Sequence, residues 1–119
     1  MNNKLEVLLK WAAAEGFERV DTLVWVKRTV NGKVKQTMGR HLLHGHELCL
    51  MFRKGMDHPD TRRQRRSNVI EAMVTELSEK PVDMYRLMEE LVPSGHYLEL
   101  FGRRRNLRNG WMTVGNELI

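Results

Sequence analysis

The last part of the chain carries polar side chains whose types suit a charged ligand. Residues 97–101 form a short apolar run typical of a strand, and Gly102 ends it. Three arginines at 103–105 and Asn106 follow, and Asn116 comes after a second short run. Guanidinium groups bind carboxylates and phosphates, and amides both donate to and accept from hydroxyls. Since α/β sheets bind ligands beyond the carboxyl ends of their strands, this pattern predicts a ligand site there. A solvated basic turn after an edge strand is the alternative.

A second cluster of arginines lies in the segment TRRQRR at residues 61–66. Its members are Arg62, Arg63, Arg65 and Arg66. These side chains could contact nucleic-acid phosphates, and a solvated loop is the equal alternative. Because residues 53–68 are polar and lack apolar periodicity, they are predicted to form a basic mobile loop.

Metal binding and nucleophilic catalysis are not indicated. His44 and His46 share one face of an extended segment while Glu47 points away, so we expect no metal site. Cys49, the one cysteine, lies in an apolar run and is expected to be an inert thiol in a reducing compartment. No nucleophile–base pair is evident, so no catalytic residue is assigned. The three tryptophans are interpreted as packing residues, with stacking on a nucleobase as the alternative.

The elements that must position these side chains alternate along the chain. Apolar residues at helical spacing predict helices at 5–15 and 82–92. Runs rich in valine, leucine and aromatic residues predict strands at 18–30, 47–52, 69–74 and 97–101, with a last strand before Gly115. Asn31-Gly32 predicts a hairpin turn. The order predicts an α/β fold with a mixed sheet, in which the run ELCLMF at 47–52 is buried on both faces.

Length and charge limit the protein further. The 119 residues are 41% hydrophobic, which is enough for a single domain over residues 1–119. The formal net charge of +5 favours polyanionic partners. The sequence holds neither a signal-peptide pattern nor an apolar run long enough to cross a bilayer, so we expect an intracellular protein without a membrane partner.

Residues 80–118 resemble the C-terminal half of the eukaryotic adenine-N6 methyltransferases, the family of the catalytic subunit of the messenger-RNA N6-methyladenosine writer. The shared pattern is Lys-Pro, a helix, Glu-Leu-Phe-Gly-Arg, an asparagine, a tryptophan and Gly-Asn. Two upstream segments are similar to the same family and occur in the same order: GFERVDTLVWVKRTVNGKVK and LLHGHELCLMFRKG. The sequence around the Asn31-Gly32 hairpin is closest to that of the protist members of the family, which methylate DNA. The resemblance implies the C-terminal half of a permuted Rossmann-like domain.

The resemblance also implies a site for S-adenosylmethionine. Lys80 would face the methionine carboxylate, Arg103 and Asn106 the ribose hydroxyls, and Asn116 and Glu117 the adenosine part. Arg105 stands where well-known catalytic members have histidine, and Glu117 where some have glutamine. Because half of the pocket belongs to a part of the family domain not present in this sequence, we expect the chain alone not to bind the cofactor.

Residues 29–46 match the family's interface segment, which docks a paired methyltransferase subunit and lends basic residues to a nucleic-acid groove. The candidates in this chain are Lys33, Lys35, Arg40, His41 and His44. A solvated basic hairpin is the alternative that the pattern leaves open.

The family's catalytic tetrapeptide, Asp-Pro-Pro-aromatic, does not occur among these 119 residues. Our leading interpretation is a non-catalytic, nuclear subunit that pairs with a full-length catalytic relative and helps to bind DNA or RNA. An excerpt of an active methyltransferase and a basic nucleic-acid-binding module without cofactor are the alternatives. We also expect the isolated chain to need a partner for stability, because two helices cannot cover both faces of its sheet.

Overall fold

The computed structural model describes residues 4–63, 66–73, 80–116 and 118. They divide into two units, the first comprising Met1–Asp57 and Arg65–Val74 and the second comprising His58–Gln64 and Thr75–Ile119. The helices are α1 (Leu5–Ala14) and α2 (Val82–Leu91), and a short 3-10 helix spans Arg104–Asn106. The strands are β1 (Phe17–Arg28), β2 (Thr37–Met38), β3 (Leu43–His44), β4 (His46–Lys54), β5 (Val69–Met73), β6 (Tyr97–Leu100) and β7 (Trp111–Val114). This order of elements confirms the predicted α/β alternation.

The sheet of the first unit is mixed, as predicted. Strand β1 lies in the middle, with β4 antiparallel on one side and β5 parallel on the other. Leu23 and Trp25 alternate along β1 onto one face and are buried, together with Ile70 of β5 and Ala12 of α1. The Trp25 indole Nε1 donates to the carbonyl oxygen of Ala72 at 3.3 Å, which satisfies its polar group inside the core.

The chain reverses at Asn31-Gly32, which confirms the turn prediction. The amide of Thr29 donates to the carbonyl of Lys33 at 2.7 Å, and Arg28 and Val34 form an antiparallel bridge. Gly32 has a φ of +78°, a left-handed conformation that glycine adopts at little cost. Beyond the turn, β2 and β3 pair with each other inside the 29–46 segment.

Strand β4 differs from its prediction in burial and in length. The run at 48–52 is half-buried and not buried on both faces, because β4 is an edge strand of the three-stranded sheet in the described part of the chain. The strand also extends through Lys54, into the segment expected to be a loop. The reason is a cross-strand pair: Arg53 lies opposite Glu18 in register, and Arg53 Nη2 is 2.7 Å from a Glu18 carboxylate oxygen.

The second unit packs α2 against a parallel pair of strands. Strands β6 and β7 run side by side from Tyr97↔Trp111 to Leu100↔Val114. Their inward positions are taken by Tyr97, Glu99, Trp111 and Thr113. Tyr85 of α2 is buried and meets the Trp111 ring edge-on, with 5.2 Å between ring centroids. Tyr85 and Leu87 are the buried residues of α2.

Candidate functional site

The carboxyl ends of β6 and β7 lie at one edge of the parallel pair. Leu100 and Val114 are register partners at the ends of the two strands. The amide of Gly102 then donates to the carbonyl of Val114 at 3.0 Å, so the pairing continues one step beyond the strands. Therefore the segment that starts at Gly102 and the segment that starts at Gly115 leave the sheet together.

Glycine is required at both of these positions by close packing. A Cβ on Gly102 would lie 2.3 Å from the Thr113 Cγ2 atom, and a Cβ on Gly115 would lie 2.4 Å from the Gly102 carbonyl oxygen. Both distances are far below van der Waals contact. The two backbones therefore touch at this edge, a close approach that the sequence pattern did not predict.

The turn between β6 and the arginines has an unusual backbone. Phe101 has a φ of +61°, and its side chain is 90% exposed. A left-handed conformation costs a residue with a side chain roughly 1–2 kcal/mol, so the turn holds strain next to the candidate site. This turn directs the chain from β6 into the 3-10 helix.

The predicted cofactor residues occupy the following positions. Arg103 is half-buried directly before the 3-10 helix. Asn106 is buried at the end of that helix, and its backbone amide donates to the Arg103 carbonyl at 2.9 Å. Asn116 is exposed just beyond β7. Arg103, Asn106 and Asn116 thus belong to the two segments that leave the same edge. Lys80 is exposed just ahead of α2, and Glu117 lies outside the described residues.

A buried polar cluster that the sequence analysis missed lies beneath this edge. The Tyr85 hydroxyl donates to Glu99 Oε1 at 2.8 Å. Glu99 Oε2 and Thr113 Oγ1 are buried and have no hydrogen-bond partner among the described residues. Glu99 and Thr113 are register partners on β6 and β7, directly under Gly102. A polar residue at an inward position of each short strand was the available signal in the sequence.

A second missed cluster joins α2 to the segment that leads into β7. Arg108 donates to the Glu89 carboxylate through Nε at 2.6 Å and Nη2 at 2.9 Å, and Trp111 Nε1 donates to it at 2.7 Å. The hydrogen bond from Arg108, followed by that from Trp111, holds the pKa of Glu89 below its usual value against the opposing effect of desolvation. The same pairing raises the pKa of Arg108. These hydrogen bonds hold the segment between the 3-10 helix and β7 against α2.

The nucleic-acid candidates of the 29–46 segment are mostly at the surface. Lys33, Lys35, Arg40 and His41 are exposed, whereas His44 lies half-buried in β3. Four large apolar side chains of the same segment are also exposed: Val30 by 86%, Met38 by 88%, Leu42 by 74% and Leu43 by 62%.

The loop candidates are divided between the two units. Arg62 and Arg63 belong to the second unit and are exposed, Arg66 belongs to the first and is exposed, and Arg65 lies outside the described residues. The predicted mobility of the whole loop stays a prediction. Its described part has contacts with the end of α2, since the Arg62 amide donates to the Leu91 carbonyl at 2.7 Å.

Asp60 adds to this attachment. Its carboxylate accepts the amide of Ser94 at 3.2 Å and the guanidinium of Arg62 at 3.2 and 3.3 Å. A hydrogen bond from the Ser94 side chain, followed by that from Arg62, holds the pKa of Asp60 below its usual value. The attachment places Arg62 and Arg63 beside α2, where an open groove of about 580 Å³ is also lined by Arg86, Glu89, Glu90 and Pro93. Arg86 is a basic residue of this groove that the sequence analysis did not select.

The described part of the chain lacks a metal-ligand cluster and a membrane-spanning helix. No group of three or more histidine, cysteine, aspartate or glutamate side chains there is arranged to hold a metal ion. Within the same residues, neither helix has the length and hydropathy needed to span a membrane.

Comparison with known proteins finds relatives of one kind. The chain is 38% identical over 105 residues to an Arabidopsis thaliana protein named N(6)-adenosine-methyltransferase MT-A70-like, covering 87% of this chain and 15% of the relative. It is 40% identical over 106 residues to the human N(6)-adenosine-methyltransferase catalytic subunit METTL3, covering 87% and 18%. It is 32% identical over 121 residues to the Drosophila melanogaster non-catalytic subunit METTL14, covering 93% and 30%.

These matches cover nearly the whole of this chain but less than a third of each of these relatives. The profile of the MT-A70 family itself matches residues 1–117. Residues of both units fall within this match, and the chain belongs to the MT-A70 family.

Proposed function

We propose that this chain acts as a methyltransferase-like subunit without catalysis of its own, which pairs with a full-length catalytic relative in adenine-N6 methylation of DNA or RNA in the nucleus. One observation carries the proposal. The family match extends over residues 1–117, yet these 119 residues contain no Asp-Pro-Pro-aromatic segment. Relatives named as catalytic and as non-catalytic subunits both match, so the family includes both roles.

The exposed apolar side chains of residues 29–46 support docking of a partner subunit. Val30, Met38, Leu42 and Leu43 are each more than 60% exposed, and each would lose apolar surface to a partner. Burial of such surface contributes about 25 cal/mol per Å², so four side chains can supply the centre of an interface. The lysines and arginine of the same segment would form its polar rim or reach a nucleic acid.

The basic residues support binding of DNA or RNA. Arg62 and Arg63 of the attached loop and Arg86 of α2 line one groove, where guanidinium groups could pair with phosphates. Glu89 in the same groove is paired with Arg108, which reduces its repulsion of an anion. Replacing Arg62, Arg63, Arg65 and Arg66 together should lower the salt dependence of nucleic-acid binding. An unchanged slope would count against the loop as a phosphate contact.

Methyltransferases of this kind generally use S-adenosylmethionine, and the residues present fit one wall of such a site. Lys80 offers charge for the methionine carboxylate, Arg103 and Asn106 offer hydrogen-bonding groups for the ribose hydroxyls, and Asn116 offers an amide for the adenosine part. The close contact of the backbones at Gly102 and Gly115 makes the two segments that carry Arg103, Asn106 and Asn116 leave the sheet at one edge. The cofactor would supply an electrophilic methyl group, while this chain would bind and orient it together with residues outside the chain. Calorimetry of the chain alone should detect no micromolar binding.

The experiment that tests the proposal is a methylation assay with two arms. The purified chain is incubated with S-adenosylmethionine and adenine-containing DNA or RNA, alone and after co-expression with a full-length catalytic relative. We expect no methyl transfer by the chain alone, co-purification with the relative, and a higher rate for the complex. Methyl transfer by the chain alone would refute the non-catalytic role. The gene sequence upstream of Met1 gives an independent check, since an in-frame Asp-Pro-Pro-aromatic segment would favour an excerpt of an active enzyme.

A further inference from the structure

Aromatic side chains from the end of α1, the start of β1 and strand β4 contact one another, with a lysine of β4 beside them. We call this group the aromatic shelf and define it as Trp11, Phe17, Phe52 and Lys54. The Trp11 and Phe17 rings are stacked, with centroids 5.8 Å apart and planes 25° apart. Phe52 meets Phe17 edge-on, with 6.3 Å between centroids. Trp11 remains 55% exposed, so a large part of the indole has no protein neighbour among the described residues.

The local backbone explains why these rings meet. Gly16 has a φ of +83° and its amide donates to the Ala13 carbonyl at 3.1 Å, which ends α1 and turns the chain sharply into β1. This turn brings Phe17 back beneath Trp11. Phe17 is the register partner of Lys54 on β4, and Phe52 lies two residues earlier on that strand and on the same face. The shelf is therefore a product of the α1–β1 turn and the β1–β4 pairing, both inside the first unit.

A cation belongs to the shelf. Lys54 Nζ lies 5.1 Å from the centroid of the Phe17 ring, and the lysine is exposed. Two acidic residues lie near the shelf in the chain. Glu18 is paired with Arg53 at 2.7 Å on the other face of the strand, and Glu15 is exposed at the end of α1, where its backbone amide donates to the Trp11 carbonyl at 3.0 Å. The shelf thus combines an open indole, stacked rings behind it and an ammonium group beside it.

We propose that the aromatic shelf binds a base of single-stranded nucleic acid, with the base stacked on Trp11 and Lys54 near its phosphate. This proposal rests on the nucleic-acid binding proposed above and adds a site to it. Single-strand-binding proteins combine aromatic side chains that stack on bases with cations that follow the backbone. Stacking on an indole needs no specific base, so we expect tolerance of sequence at this position. Val7 is also exposed, and it lies four residues before Trp11 on α1 and therefore next to it on the surface of the helix.

The test uses the full chain and a fluorescently labelled 12-nucleotide single-stranded DNA, with affinity measured by anisotropy. Trp11→Ala should weaken binding roughly 5- to 150-fold, the range for loss of one base–aromatic stack, and Trp11→Phe should weaken it less. Val7→Ala is the matched control, since it removes exposed apolar surface from the same helix without an aromatic ring, and its affinity should be unchanged. Lys54→Gln should lower the slope of log affinity against log salt by about 0.7, the value for one phosphate of a single strand. An abasic strand of equal length should bind wild type as weakly as Trp11→Ala binds the normal strand.

The outcomes separate this inference from the broader proposal. If wild type binds the strand but Trp11→Ala binds it equally well, the shelf is not a base site, while nucleic-acid binding by the chain stands. If wild type does not bind the strand, the base site on the shelf and nucleic-acid binding by the chain are both refuted. Photocrosslinking of a 5-iodouracil strand to wild type, with the adduct mapped by mass spectrometry, needs no variant to fold. An adduct at Trp11 is expected, and adducts only elsewhere would overturn the inference.

Discussion

Glu89 accepts three hydrogen bonds in the second unit, and its replacement by glutamine tests how that unit is held together. Glutamine keeps the shape of the side chain but removes its charge and replaces one acceptor oxygen by an amide group. Because Arg108 Nε, Arg108 Nη2 and Trp111 Nε1 are all donors and share the two carboxylate oxygens, at least one of the three hydrogen bonds is then lost. Arg108 also loses its ion pair.

The expected cost follows from the geometry of the pair. A hydrogen bond to a charged group contributes about 1.5–3 kcal/mol when it is buried. The Glu89 and Arg108 side chains are 27% and 32% exposed, so water screens part of this interaction. Glutamine also retains one acceptor. We therefore expect Glu89→Gln to lower the free energy of unfolding by about 1–2 kcal/mol at pH 7.

The assay is urea unfolding followed by tryptophan fluorescence, in which a cost of this size moves the midpoint by roughly 0.5–1 M. Glu71→Gln is the matched control, since Glu71 pairs with Arg28 but its side chain is 57% exposed, and it should cost no more than about 0.5 kcal/mol. If the chain melts only in the complex with its relative, the same pair of variants is compared there.

The pH dependence supplies the sharper test. The folded-state pKa of Glu89 is lowered from 4.5, so the stabilisation is complete above the unfolded pKa and is lost as pH falls through the folded pKa. The difference in free energy of unfolding between wild type and Glu89→Gln should thus be full at pH 7 and begin to narrow below about pH 4.5, where the Glu89 carboxyl of the unfolded chain takes up a proton. It should be lost once the pH has fallen through the lower folded-state pKa. The reasoning would be refuted if the difference in free energy of unfolding between wild type and Glu89→Gln stayed constant from pH 7 down to about pH 2. It would also be refuted if Glu71→Gln lowered the free energy of unfolding as much as Glu89→Gln.

Three further changes test other parts of the structure. Gly115→Ala should destabilise the second unit by about 1–3 kcal/mol through overpacking against the Gly102 carbonyl, with faster hydrogen exchange at the Gly102 amide. Gly110→Ala is the control for backbone strain: its φ of +85° disfavours alanine, but its added Cβ meets no atom within 4 Å, so exchange at the Gly102 amide should change less than in Gly115→Ala. Leu23→Ala should cost about 2–5 kcal/mol in urea unfolding, because Leu23 is 5% exposed in the core of the first unit. Met38→Glu should reduce co-purification with the catalytic relative while leaving the unfolding midpoint unchanged, since Met38 is 88% exposed, and retention of the partner would contradict the docking proposal.

Local patterns in the sequence were sufficient to predict the order and type of the elements. Helical spacing of leucines predicted α1, Asn31-Gly32 predicted the hairpin turn, and the short run at 97–101 predicted β6. These features depend on periodicity and turn chemistry within a few residues, which a single sequence displays. The family resemblance rested in the same way on short motifs in a fixed order, and the match over residues 1–117 confirms it.

The tertiary structure alone decided which residues meet across distant segments. Glu99 and Tyr85 are 14 positions apart, Glu89 and Trp111 are 22 apart, and both pairs meet only because α2 folds onto β6 and β7. The contact between the backbones at Gly102 and Gly115 depends in the same way on the parallel pairing of β6 with β7. The half-burial of β4 likewise follows from its place at the sheet edge, although its apolar run is typical of a fully buried strand. Local composition records what each segment can bury or bind, whereas its neighbours depend on long-range packing that no single segment encodes.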